Sequence, residues 1–369
     1  MKKNDVYYMK RAAALAVRAR GLTSPNPMVG AVVVKNNRII GKGYHHRAGS
    51  AAHAEILALE QAGDDARGAS LYVTLEPCTH FGRTPPCVDK IIQSGIHEII
   101  IGMVDPNPVN NGKGIDILRR CGIKVRVGVI EDELRAFNKS FIKYITTGMP
   151  FVTVKVAQSL DGKIATRTGE SQWITTDKSR IYSHRIRAHY DGIMVGVNTV
   201  LRDNPKLDAW FSKRQPVKII VDSQLSTPQI SNIFSGSSKV ILVKVAVPPG
   251  QETENLNILS RKAVILEVHG KNGQVNLKDM LRKLAKMEIA NIFVEGGGTL
   301  IGSLFDEGLV DHVLFFISPK IIGGKESLGS VMGRGIDRLD KAVNIEDIKI
   351  RRFGEDILIE GDVKKAHSS

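Results

Sequence analysis

Cysteine is scarce in this chain: three in 369 residues, Cys78, Cys87 and Cys121. So small and odd a number excludes a disulfide framework, and in a reducing compartment such residues serve as metal ligands, nucleophiles or core fillers. Long apolar runs are missing too, and a membrane-spanning helix needs about 20 such residues. The start, Met1-Lys2-Lys3 followed by apolar residues 12–17, superficially fits a secretory leader. That run is bracketed by Arg11 and Arg18 and is shorter than the roughly 7–15 residues of a leader's core. An amphipathic surface helix and a cytoplasmic location are expected instead. Runs of five or six like charges are also absent, which excludes a dedicated nucleic-acid tail despite a net charge of +14. Such a charge suits a phosphorylated small substrate, a nucleic acid or a membrane surface, and does not choose among them.

What is present is ordinary globular usage, 42% hydrophobic and 24% charged. The length exceeds the roughly 250–300 residues at which one core stops growing, so two domains are expected. Gly148-Met149-Pro150 looks like the join, giving domains over 1–147 and 148–369. In the first, the pattern predicts a helix over 5–20 and strands over 29–34 and 38–45. Between those strands lies Asn36-Asn37, a pair that tolerates the positive φ of a tight turn. A helix over 53–62, a strand over 70–75, a short helix over 86–94 and a strand over 98–104 follow. A helix over 114–121 and a strand over 124–129 complete the domain. Beyond the join the pattern predicts strands over 151–157, 192–197 and 217–221, with a helix over 177–189. Residues 223–262 are more polar and poorly patterned. Alternating strands and helices mean α/β domains, each a sheet covered by helices.

The strongest chemical signal is His53-Ala54-Glu55, followed by Glu76-Pro77-Cys78 and Pro86-Cys87. Histidine nitrogen and cysteine thiolate are preferred zinc ligands, and three protein ligands leave the fourth tetrahedral position for water. Zinc lowers the pKa of such a water to about 7. Glu55, two residues past the histidine, does not share its helix face and is free to shuttle a proton to a departing amine. This is the known signature of zinc deaminases, H-x-E then P-C-x-x-C, matched here as a pattern. Independently, Cys87 is expected to open a helix, whose N-terminal dipole favours a thiolate. The competing reading is a structural zinc site with His45 or His80 as fourth ligand. Cys121, at the end of the 114–121 helix, reads as a core residue.

In the second half a short strand, 292–294, runs into Glu295-Gly296-Gly297-Gly298-Thr299-Leu300-Ile301-Gly302 and a helix. Glycines there let backbone N–H groups approach a phosphate, and the helix N-terminus adds favourable partial charge. The run lacks the spacing of the common dinucleotide fingerprint and reads equally as a bare structural turn.

Eight residues, 79–86, separate the two cysteines where the signature has two. With Ser24-Pro25-Asn26-Pro27, Ala52-His53-Ala54-Glu55 and Asp105-Pro106-Asn107-Pro108, that loop closely resembles the bifunctional deaminase/reductase of riboflavin biosynthesis. The resemblance continues through Lys155-Val156-Ala157-Gln158-Ser159-Leu160-Asp161-Gly162 and Glu170-Ser171-Gln172-Trp173. It implies a cytidine-deaminase-like three-layer domain followed by a dihydrofolate-reductase-like α/β domain. The first would deaminate 2,5-diamino-6-(5-phosphoribosylamino)pyrimidin-4(3H)-one, and the second would reduce the ribose to a ribityl chain with NADPH. By that match His53, Cys78 and Cys87 would hold Zn2+, with Glu55 as proton shuttle. Asn26, His80 and Arg83 would meet the substrate, although Asn26 also reads as a turn residue between prolines. Ala157, Trp173, Thr199, Asp203, Ser223 and the run Gly297, Gly298, Thr299, Leu300, Ile301, Gly302 and Ser303 would line the NADPH site. Lys155, Ser171, Arg187, Leu207 and Glu295 would contact the phosphoribosyl group. Trp173 reads alternatively as a core aromatic and Arg187 as a solvated helix residue.

One departure stands out. Shortly after Asn204-Pro205-Lys206-Leu207 the family carries an arginine; this chain has Asp208-Ala209-Trp210-Phe211, and the next arginine is Arg214. Phosphate binding then falls to Arg214, or to Arg187 with Lys155, and an acidic Asp208 beside a phosphate would be unfavourable. The expected partner is a small phosphorylated pyrimidine, with no nucleic acid and no membrane, in a homo-oligomer. The alternatives are a nucleic-acid-editing zinc deaminase with an accessory binding domain and a non-catalytic zinc-stabilised binding protein.

Overall fold

Strand residues of alternating direction give the first sheet two apolar faces, and this dictates its layering. The structure, a computed structural model, describes residues 3–50, 53–81, 85–210, 212, 214–248 and 254–364. Its contacts divide the chain into Met1–Met149 and Pro150–Ser369.

In the first unit β1 (Gly30–Lys35) pairs antiparallel with β2 (Arg38–Tyr44) and with β3 (Ser70–Leu75). β4 (Glu98–Met103) and β5 (Lys124–Val127) continue parallel to β3, giving the order β2-β1-β3-β4-β5. Ala31, Val33, Val73, Ile99 and Ile101 point to one face. There α2 (Ala54–Ala62), α3 (Cys87–Gln93) and α4 (Lys113–Arg120) cover them with Ala58, Ile91 and Leu118. Val32, Val34, Tyr72 and Ile100 point to the other face. They are met by Met9 of α1 (Lys3–Ala16), Leu134 of α5 (Glu131–Phe137) and Phe141 of α6 (Lys139–Thr147). The result is three layers, α/β/α.

The β1–β2 turn uses Asn36 and Asn37 at φ 51° and 58°, the left-handed pair that the hairpin needs. In β2, a Cβ on Gly43 would lie 2.1 Å from the Ala54 carbonyl oxygen. Helix α2 therefore rests directly on the strand backbone, which fixes the height of its first turn. Cys121, expected in the core, is exposed. α4 buries Gly114, Ile115 and Leu118, and Cys121 is the cap residue beyond its last turn. There Gly122, at φ 82°, turns the chain off the sheet toward β5.

The second unit is built on one nine-stranded sheet. Its elements are β6 (Phe151–Ser159), α7 (Asp177–Arg187), β7 (Gly192–Gly196), α8 (Val197–Asp203), β8 (Val217–Val221), β9 (Val240–Val245), α9 (Glu254–Leu259) and β10 (Val264–Val268). A small ribbon of β11 (Gly270–Lys271) and β12 (Gln274–Val275) leads to α10 (Leu277–Lys286), β13 (Asn291–Glu295), α11 (Gly298–Asp306) and β14 (His312–Ser318). β15 (Ile345–Phe353) and β16 (Asp356–Val363) end the described chain. The order is β10-β9-β8-β7-β13-β6-β14-β16-β15. β10 through β14 run parallel in that order, and β16 is antiparallel to both β14 and β15. Buried on both faces, the central parallel strands read as nearly continuous apolar runs such as Val217–Val221 and Asn291–Glu295. The poorly patterned stretch 223–262 contains β9 and α9. Its polar start is self-satisfied, because the Asp222 carboxylate accepts from the backbone N–H and hydroxyl of both Ser226 and Thr227. No described helix is long and apolar enough to cross a membrane.

Candidate active sites

Three elements bring His53, Cys78 and Cys87 together. His53 is the N-cap residue of α2, Cys78 lies just past the end of β3, and Cys87 is the first residue of α3. Their ligand atoms all lie within 4.8 Å of one another. His53 Nδ1 is 3.1 Å from Cys87 Sγ and 3.6 Å from Cys78 Sγ. Zinc bond lengths set tetrahedral N···S separations of about 3.6 Å, so this donor set fits the metal. Neither His45 nor His80 joins the cluster among the described residues.

Glu55, in the first turn of α2, is 4% exposed. Burial first, and the Cys78 sulfur second, push its carboxyl up to about 7. The hydrogen bond from Cys87 holds Cys78 down to about 4, while the same bond and burial push Cys87 up. One sulfur of the pair thus takes the thiolate form that metal binding requires.

The loop carrying Cys78 is clamped on both flanks by groups that the sequence pattern did not single out for this role. The Glu76 carboxylate, 3% exposed, accepts from the backbone N–H groups of Asp105, Gly112 and Gly114. On the other flank Asn110, wholly buried, donates to the Pro77 carbonyl at 3.2 Å. Its amide oxygen accepts from both the N–H and the hydroxyl of Thr79. Asp105 completes the clamp by accepting from Asn110 Nδ2 at 3.2 Å. Of the clamp, only Glu76 and Asp105 stood in stretches quoted above, and neither was quoted for this role. Asn26 and His80 are both exposed, and no described contact ties either to the metal ligands. The Asn26 N–H donates to the Thr23 carbonyl at 2.8 Å, as a turn residue does. Arg83 lies outside the described residues.

In the second unit a cavity of about 580 Å³ opens at the carboxyl ends of β6, β7 and β13. That is where open parallel sheets bind ligands, and the volume falls in the usual range for a small-molecule site. Lys155, Ser171, Arg187, Leu207 and Glu295 all line it, as do Ala157, Trp173, Thr199, Asp203, Gly297, Gly298, Thr299 and Ile301. Leu300, Gly302, Ser303 and Ser223 do not. A continuous run of helix points around its axis, so 297–303 cannot all face one cavity. Leu300 is buried, and the Ser303 hydroxyl donates back to the Thr299 carbonyl. The Ser223 carbonyl accepts from the Val245 N–H.

Gly296 and Gly297 take φ 104° and 80°, which turns β13 into α11 and brings backbone to the cavity wall. Gly298 and Gly302 serve packing instead. A Cβ there would lie 2.5 Å from the Gly329 carbonyl oxygen and 1.1 Å from that of Met332.

Arg187, 8% exposed, is no solvated helix residue: its Nε and Nη2 donate to the two oxygens of Glu295. Lys155 Nζ reaches the same carboxylate at 3.4 Å. Burial alone would raise Glu295, but Arg187 and then Lys155 outweigh it and hold the carboxyl down to about 2. Trp173 is 60% exposed with the Arg180 guanidinium 4.2 Å above its ring, so it is no core aromatic. Arg214 pairs with Asp191 at 2.6 Å and does not line the cavity. Asp208 does line it, and its charge is met by wholly buried Lys218 at 2.9 Å. Lys218 also donates to the Ile233 and Ser235 carbonyls.

Comparison with known proteins gives matches to both halves. Residues 2–103 match the family described as the cytidine and deoxycytidylate deaminase zinc-binding region, and residues 150–359 match the RibD C-terminal domain. The riboflavin biosynthesis protein RibD of Aquifex aeolicus is 45% identical, over 96% of this chain and 97% of that one. The protein of the same name from Escherichia coli is 37% identical, over 96% and 98%. Among solved structures, Acinetobacter baumannii RibD superposes with a TM-score of 0.87 at 32% identity, covering 98% of this chain and 99% of that one. A Thermotoga maritima diaminohydroxyphosphoribosylaminopyrimidine deaminase/5-amino-6-(5-phosphoribosylamino)uracil reductase does so at 0.84 and 36%, with the same coverage.

Proposed function

This chain belongs to the RibD family and is a zinc- and NADPH-dependent bifunctional deaminase/reductase of riboflavin biosynthesis, and from that premise we propose how its residues divide the work. Residues 1–147 remove an amine from 2,5-diamino-6-(5-phosphoribosylamino)pyrimidin-4(3H)-one, and residues 148–369 reduce the ribosyl group of the product to ribityl. The observation that carries the reading is the convergence of His53, Cys78 and Cys87 beside buried Glu55.

Zinc, when bound by those three ligands, supplies the Lewis acidity that makes water a nucleophile at neutral pH. Glu55 takes one proton from the attacking water and passes it to the ring nitrogen, then carries the second from the new hydroxyl to the departing amine. A C–O bond forms, the C–N bond breaks and ammonia leaves. Glu76 and Asn110 hold the Cys78 loop in place while this happens. Asn26, His80 and Arg83 contribute to binding the pyrimidine.

In the second unit NADPH, when bound, supplies hydride to the sugar carbon. The backbone at Gly297, Gly298 and Thr299 opens α11 toward the cavity and suits a phosphate of the cofactor. Lys155, Arg187 and Glu295 form one ion-paired group with one positive charge in excess, which orients the phosphoribosyl chain.

We further infer a homo-oligomer in the cytoplasm that uses neither nucleic acid nor membrane. Edge strand β15 exposes Ile348 and Ile350 among charged residues, two apolar side chains that a second copy would cover. The full-length relatives and the cavity favour this reading over a nucleic-acid editor, which needs no reductase site. The test supplies the diaminopyrimidine phosphate with and without NADPH, and follows ammonia and NADPH absorbance separately. Zinc-loaded protein that releases no ammonia would refute the first assignment; deamination without substrate-dependent NADPH oxidation would refute the second.

A further inference from the structure

One donor in the cavity wall of the second unit has no partner among the described residues. His184, on the same helix as Arg187, stacks its imidazole on the Trp210 indole with centroids 3.6 Å apart and planes 9° apart. Its Nδ1 lies 2.8 Å from Arg187 Nη1 and 3.3 Å from the Asp208 carbonyl oxygen. A guanidinium nitrogen only donates. Arg187 Nη1 also donates to that carbonyl at 2.8 Å, so the carbonyl needs no proton from the ring, and the shorter Nη1 contact makes Nδ1 the acceptor. The neutral ring then carries its proton on Nε2. It is neutral at ordinary pH, since burial and then the Arg187 charge hold it down to about 4. No described residue pairs with Nε2, and the ring forms part of the wall shared with Lys155, Leu207 and Glu295.

We propose that His184 is a substrate-orienting residue of the reductase site, whose Nε2–H donates a hydrogen bond to a sugar oxygen of the phosphoribosyl group. A hydroxyl fits better than the phosphate. It accepts from Nε2–H and can still donate to a carboxylate, and this wall carries both Glu295 and Asp208. A phosphate only accepts and is repelled by those carboxylates. The stack on Trp210 and the bond to Arg187 fix the ring before substrate arrives, so little orientation is lost on binding. The inference rests on the assignment of sugar reduction to this unit.

Two variants of the full-length, zinc-loaded enzyme separate a donor role from a supporting one. His184→Asn keeps an acceptor near the Nδ1 position for Arg187 but removes the distal donor. His184→Gln places an amide N–H near the Nε2 position. With the deaminated phosphoribosylaminouracil as substrate, H184N is expected to lose about 10–100-fold in kcat/KM for reduction. NADPH affinity and ammonia release should be unchanged, and H184Q should recover most of the loss. Wild-type reduction in H184N, or a loss in H184Q as deep as in H184N, would overturn the proposal. So would 15N NMR of the imidazole showing the proton on Nδ1, a reading that does not depend on either variant. A wild-type enzyme that oxidises no NADPH with this substrate brings down the assignment beneath it, an outcome distinct from any difference between variants.

Discussion

Glu55 and Lys218 are both charged groups taken out of water, and they answer to different tests. Glutamine at Glu55 keeps the shape and removes the exchangeable proton. Glu55→Gln is expected to abolish ammonia release while reduction of the deaminated intermediate proceeds at the wild-type rate, as a coupled NADPH assay would report; loss of both activities would contradict separate sites. Lys218 is wholly buried with three acceptors around it: Asp208, Ile233 O and Ser235 O. Lys218→Met strands those acceptors and is expected to cost about 2–3 kcal/mol in urea unfolding, the ordinary penalty for orphaned buried polar groups. His184 gives the acid limb of stability. Its folded pKa, about 4, lies below the unfolded value of 6.5. The unfolded chain therefore binds the proton more readily, and the contribution present above pH 6.5 is lost as pH falls toward 4. The charges acting on the ring are Arg187 on α7, Glu295 on β13 and Lys155 on β6, while Asp208, in the loop after α8, meets it through its backbone carbonyl. A urea midpoint that does not move between pH 7 and pH 5 would rule this out.

Elements decide what a glycine is for. The run after β13 was legible as a turn that brings backbone to a ligand, and Gly296 and Gly297 have the positive φ that such a turn needs. Gly298 and Gly302 were not legible, because what they touch is the chain at Gly329 and Met332, thirty residues on. Gly302→Ala pushes that segment off α11. We expect a lower thermal midpoint and, because α11 opens on the cavity, at least tenfold weaker NADPH binding in a fluorescence titration. The metal-ligand cluster could be read from the sequence for the opposite reason. His53, Cys78 and Cys87 are rare, chemically distinctive side chains at element ends, so their types nearly suffice. Common residues gave no such warning. Asn110, Glu76, Lys218 and Trp210 take their roles from partners 10 to 38 positions away, and no local periodicity encodes that. Cys121 went the other way: its residue type pointed inward, but the helix ended first.

For the whole molecule, the two chemistries depend on different groups. Stripping metal from the intact protein with a chelator is expected to end ammonia release. NADPH oxidation with the deaminated intermediate should persist, and zinc should restore the first activity. Loss of both on chelation would mean that the second unit also needs the metal. The topology bears on synthesis as well. In the first unit β4 and β5 pair with strands about 26–28 positions upstream, and β3 with β1 about 36–42 upstream, so that sheet can close as it emerges. β6 is the first strand of the second unit yet pairs with β13, Phe151 lying opposite Asn291, a separation of 291 − 151 = 140 positions. At the usual ribosomal pace of about 5–20 residues per second, β6 waits roughly 7–28 s for its neighbour. Throughout that interval a strand destined to be buried on both faces has nothing to pair with. A long-lived unpaired strand is exposed to aggregation, so the yield of this enzyme is expected to rise with chaperone supply during translation.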